Sequence, residues 1–179
     1  MERISATIAQ LSEGSSQEIE EILWNLSRKE LDNNDYLLKS GQICTQYFFI
    51  ENGTVRLFYT RNEEEYTVWM GTSGEIFTNL ESYLDQSKSR INIQAIEPSV
   101  VYTISKIKSD ALAQHSNPYN TLLRRTVEIA FVGLSKNVIS FQSEAASERY
   151  QRVLSEKNWI AKYPLKYIST FIGVTQSTL

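Results

Sequence analysis

One stretch, Pro118 to Ala145, limits the possible folds more than any other: it reads as a single long helix between a strand-rich front and a short helical back end. Asn117-Pro118 supplies an N-cap followed by proline at the first helical position, where the missing N–H is not needed. Leu123, Val127, Ala130, Leu134, Val138, Phe141 and Ala145 then recur at steps of three and four, with Phe131 beside them, as one apolar stripe. Leu122, Ile129, Val132 and Ile139 fall outside that stripe, so the helix needs cover on more than one side. A second copy of the helix on the stripe and the front domain on part of the rest would supply it. Gly133, costly in a helix interior by about 1 kcal/mol, then marks a close approach. The alternative is a core helix of a single domain.

Ahead of this helix, residues 1–30 read as helical, with Ser15 or Ser16 capping a segment in which Ile19, Ile22, Leu23 and Leu26 share a face. From Leu37 the period falls to two. Tyr47-Phe48-Phe49-Ile50 and Val55-Arg56-Leu57-Phe58-Tyr59 flank Asn52-Gly53, the dipeptide suited to a type I′ hairpin because both central residues need positive φ. Arg61–Glu65 reads as a polar turn whose acidic triplet is a solvated loop, followed by the strand Tyr66–Met70 and a turn over Gly71–Gly74. A short helix is expected around Asn79–Leu84, then a period-two strand from Arg90 to Ile96 and another from Val100 to Ile104. Short strands at this spacing predict a barrel or sandwich.

Behind the long helix, Ser147–Glu156 carries Tyr150, Val153 and Leu154 at helical spacing, and Pro164 opens a helix with Leu165, Ile168, Phe171 and Ile172 inward. Gly173-Val174-Thr175 then gives a tight turn with an N-cap, and Gln176 begins a further helix. Helix, glycine turn and capped helix make the helix-turn-helix pattern, although a plain helical hairpin fits as well.

Charge separates the two ends. Residues 1–118 hold 10 basic and 17 acidic side chains, whereas residues 119–179 hold 8 basic and 4 acidic ones. One cysteine, Cys44, rules out an internal disulfide and a cysteine zinc cluster. No apolar run is long enough for a signal core or a membrane span, so the expected address is cytoplasmic, without membrane contact. A single histidine, His115, cannot build a metal-dependent barrel oxygenase, and it reads as a surface or capping residue. No catalytic constellation, metal site or cofactor is expected, and the chain does not read as an enzyme. Cys44 reads as a small buried hydrophobe, and Trp24, Trp69 and Trp159 as core anchors.

The order of parts resembles the Crp/Fnr family of bacterial transcription regulators. Leu38-Lys39-Ser40-Gly41, Tyr47 through Gly53 with Val55-Arg56-Leu57, Gly74-Glu75, Arg90 through Ala95, and Leu165 through Thr175 carry that resemblance. It implies an α+β chain: an N-terminal antiparallel β-roll of the cyclic-nucleotide-binding kind with flanking helices, a long dimerisation helix, and a C-terminal winged-helix or helix-turn-helix fragment. The corresponding divisions are 1–117 for effector sensing, 118–145 for the dimerisation and linker helix, and 146–179 for an incomplete DNA-binding domain. The implied partners are a second copy, through Leu123, Val127, Ala130, Phe131, Leu134, Val138 and Phe141, and operator DNA, through Lys166, Thr175, Gln176, Ser177 and Thr178.

An unknown small-molecule effector is implied as well, and here the sequence departs from the family. The first Gly-Glu is present as Gly74-Glu75, but Thr78 and Asn79 stand where a second Gly-Glu holds the ribose, and Ser89 stands where an arginine holds the cyclic phosphate. Arg90 comes one place late, which on a strand turns it to the opposite face; Glu81 is a candidate substitute carboxylate. Glu75, Asn79, Glu81, Ser89 and Arg90 are therefore candidate ligand residues at which cyclic AMP is not expected to bind. The competing reading is a module that senses a ligand or a protein at its roll and never touches DNA.

Overall fold

The computed structural model describes residues 1–156 and 163–174. Helices α1 (Glu2–Ser12) and α2 (Ser16–Trp24) lead into eight strands, β1 (Ser27–Leu31), β2 (Tyr36–Leu38), β3 (Gln46–Asn52), β4 (Thr54–Arg61), β5 (Glu64–Thr72), β6 (Ile76–Phe77), β7 (Asn92–Ala95) and β8 (Ser99–Ser105). Helix α3 (Leu80–Asp85) interrupts them, and α4 (Lys106–Ala113), α5 (Asn117–Ser143), α6 (Ala146–Glu156) and α7 (Leu165–Ile172) follow. The strands form two antiparallel four-stranded sheets, in the orders β1-β8-β3-β6 and β2-β7-β4-β5. Tyr47, Phe48, Phe49 and Ile50 are all buried, so β3 is covered on both faces.

Two local expectations fail here for nonlocal reasons. Residues 27–31 form a strand, not the end of a helical segment, because β1 completes the sheet edge beside β8. Asn52-Gly53 is not a hairpin: β3 pairs with β6 and β8, β4 pairs with β5 and β7, and the chain crosses from one sheet to the other between them. Gly53 does need its positive φ of 96°, and Asn52 does not share it. The two-residue turn with both φ positive is Asn62-Glu63, which joins β4 to β5. Glu64 and Glu65 accordingly lie on a strand and not in a solvated loop.

Helix α5 begins one residue earlier than the proline suggests. Ser116 is its N-cap, its Oγ accepting the Tyr119 N–H at 3.3 Å, and Pro118 falls in the first turn. Glu144 adopts an extended conformation, which ends the helix at Ser143 and leaves Ala145 outside it. Its first turns are covered by the front domain. Tyr119 and Leu122 are fully buried, and the Tyr119 hydroxyl donates to Ser109 Oγ at 2.8 Å. Beyond Thr126 the cover ends: Phe131 is 68% and Leu134 59% exposed.

Gly133 sits where the helix crosses the roll. A Cβ there would lie 3.3 Å from Cη2 of Trp69, so the expected close approach is real and its partner is an aromatic ring. Trp24, by contrast, is 90% exposed and anchors nothing in the core. Ser15 caps α2 in a reciprocal pair with Glu18. His115 is a surface residue whose Nε2 lies 3.2 Å from Glu21 Oε1. None of the helices among the described residues is long and apolar enough to cross a membrane.

The crossing at Gly53 is the tightest point of the fold. A Cβ added there would stand 2.6 Å from Ser99 Cβ and closer still to its Oγ, while φ is already unfavourable for any side chain. Gly53→Ala is expected to lower stability by more than about 2 kcal/mol, read as a shift in the urea midpoint at unchanged slope.

Candidate effector site

The roll meets α5 beside the segment between β6 and β7, and there the candidate ligand residues separate into two groups. Asn79 and Ser89 are both buried and face each other: Asn79 Nδ2 donates to Ser89 Oγ at 2.6 Å. Ser89 Oγ in turn donates to the Ile91 carbonyl at 2.7 Å and accepts the Ile91 N–H at 2.9 Å. The backbone of Ser89 is held as well, its N–H donating to Gln42 O and its carbonyl accepting from Gly41. The two residues that the family resemblance aligns with ribose and phosphate contacts thus bond to each other as an uncharged pair.

Arg90 and Glu81 lie outside. The Arg90 side chain is 82% exposed and its Nη2 pairs with Glu81 Oε1 at 3.0 Å. Arg90 lies in a bend ahead of β7, which begins at Asn92 and not at Arg90 as expected, so the bend and not strand parity turns it outward, and Glu81 is engaged in this surface pair. Glu75 holds its own turn, Oε2 accepting the Thr72 N–H at 3.2 Å while its carbonyl accepts from Ile50 N. Of the five candidates, then, the fold pairs Asn79 with Ser89 in the interior and Glu81 with Arg90 on the surface, and leaves Glu75 in its own turn.

Next to this closed pair is a cavity of about 280 Å³ between the roll and α5. Ile76, Phe77 and Leu80 line it from the roll, and Val127, Phe131 and Leu134 from the helix. The hydroxyls of Thr78 and Thr126, also on its wall, donate to the carbonyls of Gln46 and Leu122 at 2.8 Å each. Burial, reinforced by Tyr83 and Cys44 nearby, pushes the Tyr47 phenol up to about 12, which keeps that wall residue neutral. No lysine, arginine, aspartate or glutamate lines the cavity. Cys44 is buried, as expected, with its Sγ 3.3 Å from Thr78 Oγ1.

Among the proposed seam residues, Val127, Ala130, Phe131, Leu134 and Val138 are exposed and Leu123 is half-buried. Phe141 differs. Its ring lies against Gly173, where a Cβ would come within 2.7 Å of Cε1, and Arg149 stacks 5.2 Å from its centroid. One side of Phe141 is therefore taken by its own chain. Helix α7 buries Tyr167, Ile168 and Ile172, whereas Leu165, expected inward, is exposed. Gly173 ends the helix in the left-handed conformation, as a helix-turn-helix requires. Lys166 is exposed; Thr175, Gln176, Ser177 and Thr178 lie outside the described residues.

The buried Arg56 is the site residue that periodicity misses. It is 1% exposed, donates from Nη2 to Glu65 Oε2 at 2.7 Å and to Gln94 Oε1 at 3.2 Å, and stacks on Phe58 and Tyr167. A signal existed: a lone cation within Val55-Arg56-Leu57-Phe58, on a strand whose neighbours on both sides are apolar.

A double-sheet roll closed by a long helix, with a ligand cleft between the two, is the architecture of a cyclic-nucleotide-type sensor. Residues 28–116 match the cyclic nucleotide-binding domain family, and that part of the chain belongs to it. Over most of its length the chain shares the fold of Crp/Fnr-type regulators. The c-di-GMP responsive global regulator CLP of Xanthomonas campestris superposes with a TM-score of 0.72 at 12% identity, over 92% of this chain and 87% of that one. A protein assigned to the Crp/Fnr family of transcriptional regulators from Eubacterium rectale gives 0.71 at 13% identity, over 93% and 80%. The catabolite activator protein of Thermus thermophilus gives 0.59 at 18% identity, over 92% and 79%. No curated protein matches the chain by sequence.

A cyclic phosphate entering this cleft would meet no cation and a ribose no carboxylate. Charged hydrogen bonds contribute about 1.5–3 kcal/mol each, so their loss weakens binding by roughly two to four powers of ten if the effects add. Titration calorimetry with cyclic AMP is expected to show no micromolar binding; saturable heat in that range would contradict the assignment of Asn79 and Ser89 as a closed pair.

Proposed function

We propose that the chain acts as a dimeric, operator-binding transcription regulator of the Crp/Fnr kind, not an enzyme, in the cytoplasm. Its three working parts are the roll of residues 1–117, the helix of 118–145 and the reading head that begins at 146. The observation that carries this reading is the bare stripe of α5. Val127, Phe131, Leu134 and Val138 expose contiguous apolar surface on a helix whose first turns are buried, and the α6–α7 head follows it directly. A second copy packed in parallel on that stripe would cover it and set two heads side by side.

The effector, if one is used, belongs in the cavity beside the stripe. Because that cavity lacks charge and its threonine hydroxyls are already bonded, it favours a small apolar or weakly polar molecule over a nucleotide. Its helix wall shares Val127, Phe131 and Leu134 with the proposed seam, so an occupant would change how the two helices meet. Such a ligand moves the heads only by its differential affinity for the two arrangements. Lys166, Thr175 and Ser177 are proposed to position the head on phosphates alongside Thr178, and Gln176 to read a base.

Leu134→Glu places a carboxylate in the seam and is expected to convert a dimer to a monomer in sedimentation. A wild-type monomer at micromolar concentration, or an unchanged mass in the variant, would remove the dimer from this proposal.

Selection from a random duplex pool with the complete polypeptide tests the DNA arm. Enrichment of two half-sites about one helical turn apart, with affinity falling as salt rises, is the expected result. If neither is seen, the roll is a sensor that does not act on DNA.

A further inference from the structure

The head touches its own roll through a contact that is separate from the effector cleft. Helix α7 lies over β5, the edge strand of its sheet, and four polar links join α7 and the preceding Tyr163 to the roll. The Thr67 N–H donates to Thr170 Oγ1 at 3.2 Å, with the two threonine hydroxyls 3.1 Å apart, so a side chain of the head occupies a backbone donor of the sheet edge. The Tyr163 hydroxyl bonds Thr54 Oγ1 and donates to Glu97 Oε1 at 3.2 Å. Between these links lies the guanidinium of Arg56, 3.8 Å from the Phe58 ring centroid and 4.0 Å from that of Tyr167.

Arg56 is an expensive residue to place here. A cation removed from water needs partners that replace its hydration; Glu65, Gln94 and the two ring faces do so in part, while the buried Nε makes no hydrogen bond among the described residues. Of those four, Phe58 and Glu65 belong to β4 and β5, Gln94 to β7, and Tyr167 to the head. Gln94 is further tied by its Nε2 to the Asn34 carbonyl at 3.1 Å. Strand β7 is the continuation of the segment that Ser89 pins through its two bonds to Ile91. A physical path therefore runs from the closed Asn79–Ser89 pair along β7 to Gln94, through Arg56, and onto the Tyr167 ring.

We propose that Arg56 is a latch residue: it holds the reading head on the outer sheet and couples that docking to β7, the strand that continues from the Asn79–Ser89 pair. While the latch is closed, the position of the Gly173 turn is set by β5 of the same chain. A shift of β7 that draws Gln94 away weakens the guanidinium's hold on Tyr167 and frees the head. The consequence for DNA rests on the regulator reading; the docking and its coupling do not.

Hydrogen exchange of the full chain, read by mass spectrometry without DNA, tests both. Arg56→Met keeps the apolar volume and removes the charge, and Thr170→Val removes the links to Thr67 from an only partly buried position. Arg56→Met is expected to speed exchange across α7 by about tenfold or more, with β3 and β8 unchanged, and Thr170→Val to act in the same direction by less. Ser89→Val, which unpins β7, is expected to speed exchange in α7 in the wild-type background and to add nothing on top of Arg56→Met. Wild-type protection of α7 in Arg56→Met, equal loosening of β3 and β8, or an equal Ser89→Val effect in both backgrounds would each overturn the proposal. A failed operator selection alongside the expected exchange pattern would remove the regulator reading and leave the latch in place.

Discussion

A 27-residue helix spans roughly 40 Å, and the roll can cover only its beginning. Much of the molecule follows from that mismatch in length. Where α1, α2 and α4 surround it, α5 buries Tyr119, Leu122 and Thr126 and is a core element like any other. Past that point Phe131, Leu134 and Val138 are exposed, while the ring of Trp69 lies under Gly133 and, near the end, the Gly173 turn and Arg149 lie against Phe141. The same helix thus serves as core in one half and as surface in the other. The effector cavity is formed at the transition, where one wall is a packed sheet and the opposite wall is a face that is still partly bare.

The cleft also shows how a charged site can be lost without leaving a defect. Removing only one charged partner from a buried pair leaves the other uncompensated, at a cost of several kcal/mol. Here both positions are uncharged, and each satisfies the other: Asn79 donates, Ser89 accepts, and Ser89 spends its own proton on Ile91. Arginine has not vanished from the neighbourhood but stands one residue later on the surface, balanced by Glu81. At these two residues the roll consequently presents a hydrogen-bonded, uncharged pair, with no unbalanced charge for a nucleotide to neutralise.

What could be read from the residue order was whatever depends on period and composition. The apolar stripe of α5, the close approach at Gly133 and the burial of Cys44 follow from spacing or composition, and the coordinates agree, whereas Ile129, Val132 and Ile139, which lie off the stripe, are exposed, and Arg90 turns outward from a bend and not from a strand. Errors arose where a local preference was decided by a distant partner. Asn52-Gly53 has the chemistry of a hairpin turn, yet its glycine is needed because Ser99 of another strand lies against it. Ser116 outcompetes Asn117 as the cap, a difference of one residue that pattern alone does not resolve. Trp24 has a core residue's composition and a surface residue's position. Arg56 was visible as an anomaly in an apolar strand, but its partners come from four elements, and no sequence window contains them.

The contact between Gly133 and Trp69 makes the crossing of helix and roll optically addressable. An indole ring facing a glycine has its edge against helix backbone and no intervening side chain, so small displacements of α5 change the polarity around the chromophore directly. Trp24, almost wholly in solvent, supplies an emission that such displacements leave alone. With Trp159, which lies outside the described residues, replaced by phenylalanine, the chain carries both a reporter and an internal reference for the motion of its own central helix, and that motion can be followed without attaching a label.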